Sequence, residues 1–272
     1  MWQYAKSGWT AARRNWFLIL LLFLYQYIWG FAIFKYVKSV VVPLLHRYPG
    51  GELSASASRL FWLEAEFQLV KTDLIAPYAW TLGTILLIRM LLTPLLNAGI
   101  LNVLENDRGG RRKAFAQGVR TYVKPFLLLY GAQTVLTVAP LLWVGPRAFD
   151  AAATAGGLAA AASALLPYAA GWIAYQGALD LAALYVGFGI VGGRGALPGL
   201  AVFVRRAGPI VALALMVYAV TIAVSLAAAA LSLWWAGFLA VLLHQSFPFV
   251  RALLKLWGIQ AQFQYWSDRK PV

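Results

Sequence analysis

Residues 125 to 145 and 209 to 250 contain no lysine, arginine, aspartate or glutamate. Uncharged apolar stretches of that length constrain this chain more than any other feature. A helix rises 1.5 Å per residue, so about 20 apolar residues cross the ~30 Å hydrocarbon core of a bilayer. A water-soluble domain has no interior able to hide several such helices. Of the 272 residues, 62% are hydrophobic and 12% charged, against roughly 45–50% and ~25% in soluble proteins. Lipid is therefore the expected solvent, and the expected fold is all-α, a polytopic transmembrane helix bundle. It has about six spans and forms a single integral membrane domain over residues 1–272.

The spans are expected near residues 16–34, 77–104, 125–145, 158–191, 209–230 and 231–250. The second and fourth are longer than a bilayer needs, so they tilt or project beyond it. Leu231 to Trp235 is expected to form a tight outer turn with Trp234 and Trp235 at the interface. The apolar run Trp16 to Phe34 is too long for the core of a signal peptide and suits a full span.

Orientation follows from the basic residues, because loops rich in lysine and arginine stay on the cytoplasmic side. The N-terminus, residues 105–124, residues 192–208 and the tail from Arg251 together carry sixteen basic residues against three acidic ones. The opposite side carries six basic and five acidic residues. Both termini are thus expected to be cytoplasmic, and the net charge of +14 needs no nucleic acid to explain it.

The densest basic segment is GGRRKAFAQGVRTYVKPF, residues 109–126. Wound as a helix, it places Ala114, Phe115, Gly118, Val119, Tyr122 and Phe126 on one face, with Lys113, Gln117, Arg120 and Lys124 on the other. The spacing predicts a cytoplasmic elbow, an amphipathic helix in the interface with Arg111, Arg112, Lys113, Arg120 and Lys124 under anionic headgroups. There each cation contributes about 1 kcal/mol. Pro125 is expected at the bend into the third span. Trp2, Ala5, Trp9, Ala12 and Trp16 predict a second interfacial helix, with Lys6, Arg13 and Arg14 toward headgroups. Leu60, Phe61, Leu63, Phe67 and Val70 form a third stripe on the outer side. The expected partners are a bilayer with anionic headgroups and a membrane or cytoplasmic protein, with no nucleic acid.

Two charges fall inside spans, Arg89 and Asp180. Ionised groups in hydrocarbon cost several kcal/mol and persist by facing protein, water or each other. An intramembrane ion pair between spans two and four is expected, with Asn97 and Gln176 as polar neighbours. Ala170, Ala174, Ala178 and Ala182 recur every four residues, a spacing that lets helices approach closely. No HExxH, GxSxG, GxxxxGK[ST] or CxxC motif is present, so the common signatures of metal-dependent hydrolysis, serine hydrolysis, nucleotide binding and dithiol redox chemistry are missing. There is no cysteine, and the two histidines, His46 and His244, lie far apart in sequence. No catalytic residue, metal site or cofactor is expected.

A repeat links residues 77–145 to 158–230: at an offset of 84, Pro125 falls on Pro209 and Gly109 on Gly193. The segments LLNAGILNVLENDRGGRRKAFAQGVRTYVKPFLLLYG and ALYVGFGIVGGRGALPGLAVFVRRAGPIVALAL resemble the repeated span, glycine-containing loop, elbow and span of a broad bacterial group. That group includes the membrane domain attached to some glycerophosphodiester phosphodiesterases and many stand-alone proteins. The resemblance covers about residues 95–230 and implies a multi-pass protein of the bacterial cytoplasmic membrane. This sequence includes no soluble phosphodiesterase domain, so the hydrolase activity is not expected to carry over. The expected function is that of a non-enzymatic scaffold, partner subunit or lipid-interacting module. The alternative is a permease-type transport component working with a separate ATPase, docked through residues 109–124. A lipid-modifying enzyme would have only Arg89, Asp180 and His244 to work with.

Overall fold

The apolar runs do wind into helices. A computed structural model describes residues 1–47, 75–106, 110–154, 158–234 and 238–269. Among the described residues there are eight helices: α1 Trp2–Arg14, α2 Trp16–Arg47, α3 Ile75–Glu105, α4 Arg111–Ala153, α5 Leu158–Val191, α6 Ala196–Arg205, α7 Ala207–Trp234 and α8 Phe238–Asp268. The described residues contain no strand. Five of the helices are long and apolar enough to cross a membrane: Trp16–Val42, Ala76–Glu105, Arg111–Ala153, Ala159–Val191 and Ala207–Ser232. The outer stripe Leu60 to Val70 lies outside the described residues, as do the side chains of His46 and His244.

Two expectations about boundaries change. The elbow and the third span are one continuous helix, α4, with Pro125, Pro140 and Pro146 inside it. Proline removes one backbone hydrogen bond, but in apolar surroundings the flanking bonds have no water to exchange with and the helix holds. At 43 residues, α4 is about 65 Å long, roughly twice a hydrocarbon core. A helix of that length does not fit within one hydrocarbon core. In the second copy of the repeat the chain does break, at Arg206, between the short α6 and α7. Leu231 to Trp234, expected in a tight turn that ends at Trp235, is instead helical, as the end of α7, and the Trp234 side chain is exposed; Trp235 lies outside the described residues.

The chain divides into two compact units. In residues 22–92, α2 and α3 carry largely exposed apolar side chains. Phe23 packs on Tyr27 and Tyr25 on Trp29, one turn apart along α2.

The other unit, Met1–Leu21 with Thr93–Val272, has its core at one end. Here α1 packs on α8, α4 on α5, α5 on α6, and α7 on α8. Leu18, Ile100, Tyr185, Phe188, Ile210, Leu213, Leu256 and Trp266 are fully buried, and all belong to the stretches beside the basic loops. Between residues 127 and 184, and again between 218 and 251, no described residue is buried. Leu128, Leu142, Ile173, Leu215 and Leu226 point outward there. A water-soluble chain cannot leave two such zones of apolar surface open, whereas lipid covers them without cost.

Close helix approach at the packed end is set by glycine. A Cβ on Gly8 would lie 2.7 Å from the backbone nitrogen of Ala261, and one on Gly118 would lie 2.9 Å from the Ala98 carbonyl oxygen. Gly199 of α6 presses on the Tyr185 carbonyl of α5, beside Gly189. Between α5 and α6 the chain turns through Gly193 at φ 72, with Arg194 N–H bonded to the Gly189 carbonyl and Gly193 N–H to that of Ile190. This Schellman closure needs the left-handed conformation that glycine adopts freely. By contrast, Ala170, Ala174 and Ala178 are exposed.

Candidate functional site

The elbow's two faces separate as its spacing predicts, but the apolar face meets protein instead of lipid. Ala114 and Gly118 are buried against the end of α3, and Phe115 lies against Gly99. Asn102, 2% exposed, donates from Nδ2 to the Ala114 carbonyl at 2.7 Å and accepts from Asn106 at 2.8 Å. Tyr122 donates to the Val191 carbonyl at 3.3 Å. Arg112, Lys113, Arg120 and Lys124 remain exposed, and Arg111 is half-buried. A packed helix presenting four outward cations is a fixed basic surface.

The N-terminal helix changes partner in the same way. Ala5, Gly8 and Ala12 of α1 are buried on α8, while Trp2 and Trp16 remain exposed. Trp257 donates from Nε1 to the Ala5 carbonyl at 2.7 Å, and its ring meets Trp9 edge-on. At the far end of the pair, Tyr4 donates to Asp268 Oδ2 at 2.6 Å. That hydrogen bond, then burial, then repulsion from the same carboxylate raise the Tyr4 hydroxyl above the ordinary phenol value. A raised phenol contributes its stability fully below the unfolded value of about 10 and loses it as pH rises through the higher folded value, because phenolate would face carboxylate. Docking of α1 on α8 is therefore expected to hold at neutral pH and weaken only in strong alkali. Tyr4→Phe is expected to cost about 1 kcal/mol or less and to reduce that alkaline sensitivity. Thermal unfolding in detergent at several pH values measures both, and a mutant with an unaltered alkaline profile would contradict the assignment.

Residues after Arg251, expected as a tail, instead complete the core. Ala252, Leu256, Trp257, Ala261, Tyr265 and Trp266 are buried. Tyr185 donates to Gln262 Oε1 at 2.8 Å, and Gln262 Nε2 donates to the Ile210 carbonyl at 3.1 Å. This chain of bonds ties α5, α8 and α7 together. The i, i+4, i+8 spacing of Trp257, Ala261 and Tyr265 is the signal in the sequence that marks a packed helix face.

At span depth, Asp180 accepts from Gln133 Nε2 on α4 at 2.6 Å. Thr137 donates to Gln176 at 3.4 Å, and Tyr175 donates to the Leu136 carbonyl at 2.7 Å. Gln176 Nε2 is buried without a partner. The positive charge of Lys255 on α8 also acts on the Asp180 carboxylate. The register agrees: Asp180 lies five residues before Tyr185 and Lys255 seven before Gln262, about 7 and 10 Å up parallel helices from the Tyr185–Gln262 bond. Arg89 belongs to residues 22–92, the other compact unit. Asn97 is exposed and makes no side-chain hydrogen bond among the described residues.

Asp180→Asn is expected to leave thermal stability in detergent within about 1 kcal/mol of wild type, since the Asn oxygen still accepts from Gln133. Gln133→Leu, which strips the carboxylate of its donor, is expected to cost about 1–3 kcal/mol. The reverse order of the two variants would show that the charge on Asp180, acting with Lys255, is what holds these helices.

Two clefts open at the basic end. One of ≈ 600 Å³ lies between α1, the end of α3 and α8, lined by Lys6, Arg14, Asn15, Leu104, Gln260 and Gln264 among others. The second, of ≈ 420 Å³, is lined by Trp16, Phe17, Gly110, Arg111 and Arg112. Among the described residues no group of three or more His, Cys, Asp and Glu side chains is placed to hold a metal ion. No protein-family model, no curated protein and no solved structure matches the chain.

Proposed function

We propose that this chain is a non-enzymatic multi-pass protein of the bacterial cytoplasmic membrane that acts as a scaffold, partner subunit or lipid-interacting module. In this reading six helices cross the bilayer, both termini are cytoplasmic, and α8 supplies the sixth span before its second half enters the core. Kinship with the membrane domain of glycerophosphodiester phosphodiesterases is part of the same proposal. The observation that carries it is the distribution of burial. Side chains are packed where the chain is basic and left open where it is apolar, the pattern of spans solvated by lipid beneath a rigid cationic platform. Anionic headgroups and an acidic face of a protein partner are what such a platform attracts.

A permease-type component has one observation in its favour, the polar strip of Gln133, Thr137, Gln176 and Asp180 at span depth. Purification in mild detergent separates the two. The scaffold reading expects anionic lipid or a non-ATPase protein with the chain, and recovery of a stoichiometric ATPase would overturn it.

A further inference from the structure

At the basic end, α1 turns Lys6 and Arg13 outward, and the first turns of α4 do the same with Arg112, Lys113, Arg120 and Lys124. The short helix α6 differs, because its outward side chains are Leu197, Leu200 and Val204. They recur at i, i+3 and i+7, which is one side of a helix, and Leu197 and Val204 are 78% and 66% exposed. The opposite side is fixed on protein. Gly199 is buried where α6 crosses α5, and Phe203 packs on Tyr185 at 6.2 Å between ring centroids. A helix seated that closely cannot roll to hide its outer face, so the apolar stripe stays on the surface and calls for an apolar cover.

Charge and length decide what covers it. Arg194 stands just before α6, Arg205 ends it and Arg206 follows, all three exposed. No aspartate or glutamate occurs between residues 181 and 267. An apolar stripe bounded by cations matches the boundary between acyl chains and anionic headgroups. Ten residues make about 15 Å of helix, too short to cross a bilayer. The next helix, α7, is long and apolar enough to cross, and it starts at Ala207; α6 is thereby tethered where that helix would leave the membrane. A specific protein interface engages about 20–30 residues a side, and three apolar side chains fall far short of one.

We infer that α6 is an in-plane membrane anchor. Leu197, Leu200 and Val204 sink about 5–10 Å into the boundary of headgroups and acyl chains, in the leaflet on the basic side, and Arg194, Arg205 and Arg206 bind the phosphates of anionic lipids. The inference deepens the lipid-interacting reading above and rests on it for the lipid-solvated spans.

The test uses the full chain in lipid nanodiscs. It has no cysteine of its own, so Leu197→Cys, Val204→Cys and Val135→Cys are each labelled singly with the fluorophore NBD. Val135 is exposed in the apolar zone of α4, about 15 Å along the helix from Pro125. Quenching is read with aqueous iodide, with lipid spin-labelled at acyl carbon 5 and with lipid spin-labelled at carbon 12. Positions 197 and 204 are expected to be quenched most by the shallow label, and position 135 most by the deep one. At position 204, spin-labelled phosphatidylglycerol is expected to outcompete spin-labelled phosphatidylcholine about fivefold, and Arg205→Gln combined with Arg206→Gln is expected to bring the two near parity. Stronger quenching of positions 197 and 204 by iodide than by lipid, or shielding from both, which would place protein over the stripe, would overturn the inference while position 135 still reports lipid. No lipid quenching at position 135 would overturn the lipid-solvated spans and the anchor together. Equal quenching by the two headgroups, or a preference that ignores the two arginines, would overturn the assignment of anionic lipid to this face.

Discussion

Gly199→Leu is expected to prevent recovery of folded, monodisperse protein. Gly199 sits where α6 crosses α5, and any Cβ there would run into the Tyr185 carbonyl, with the Val186 Cα only 3.0 Å away. Both obstacles are backbone, so no rotamer change relieves the clash. Inserting one or two methylenes into a packed site costs about 1–3 kcal/mol; leucine adds four carbons against main chain and must separate the helices. The separation would propagate, because Tyr185 bonds Gln262 and packs against Phe188, Phe203 and Trp266. Gly199→Ala should give a weaker version of the same defect. Size-exclusion profiles and melting in detergent measure both, and a leucine variant with wild-type melting would show that α6 is not seated on α5.

Trp266→Ala has the second large effect, a loss of about 3–5 kcal/mol of stability. The side chain is 0% exposed, stacked on Phe188 at 6.1 Å between ring centroids and edge-on to Tyr185 at 6.0 Å. Removing it leaves a cavity where α5 and α8 meet, and Tyr185, held by its bond to Gln262, is not free to collapse into it. The indole Nε1 makes no hydrogen bond, so Trp266→Phe should cost much less than Trp266→Ala. Melting curves that rank the two variants alike would assign the loss to the indole nitrogen instead of to packing.

What the sequence reveals and what it hides divide along a physical line. Long apolar runs disclose α3, α5 and α7 nearly end to end, because length and apolarity are local properties. The faces of residues 111–126 are legible too, since Ala114, Gly118 and Phe126 recur at helical spacing and are the buried positions. What covers a face is not local. Lipid and protein are both apolar, and periodicity cannot distinguish them, so α1 and the start of α4 read as interfacial helices although α8 and α3 cover them. Residues 251–268 read as a tail because Gln260, Gln262 and Gln264 dilute the apolar pattern. Gln262 is buried only because a tyrosine 77 residues earlier supplies its bond. Asp180 shows the same limit: its donor, Gln133, is 47 residues away and carries no charge to announce it.

In the proposed topology, lipid solvates the exposed apolar zones while the packed basic end stays in the cytoplasm. The chain has no cysteine, so single cysteines report cleanly. Gln117 and Thr154 are both exposed on or just beyond α4, about 55 Å apart along one helix axis, and neither carries a charge. Gln117→Cys and Thr154→Cys are to be labelled in intact cells with a membrane-impermeant maleimide, before and after permeabilisation. Labelling of position 154 from outside, with position 117 reached only after permeabilisation, is the predicted result. Labelling of position 117 in intact cells, or of both positions from the same side, would contradict it.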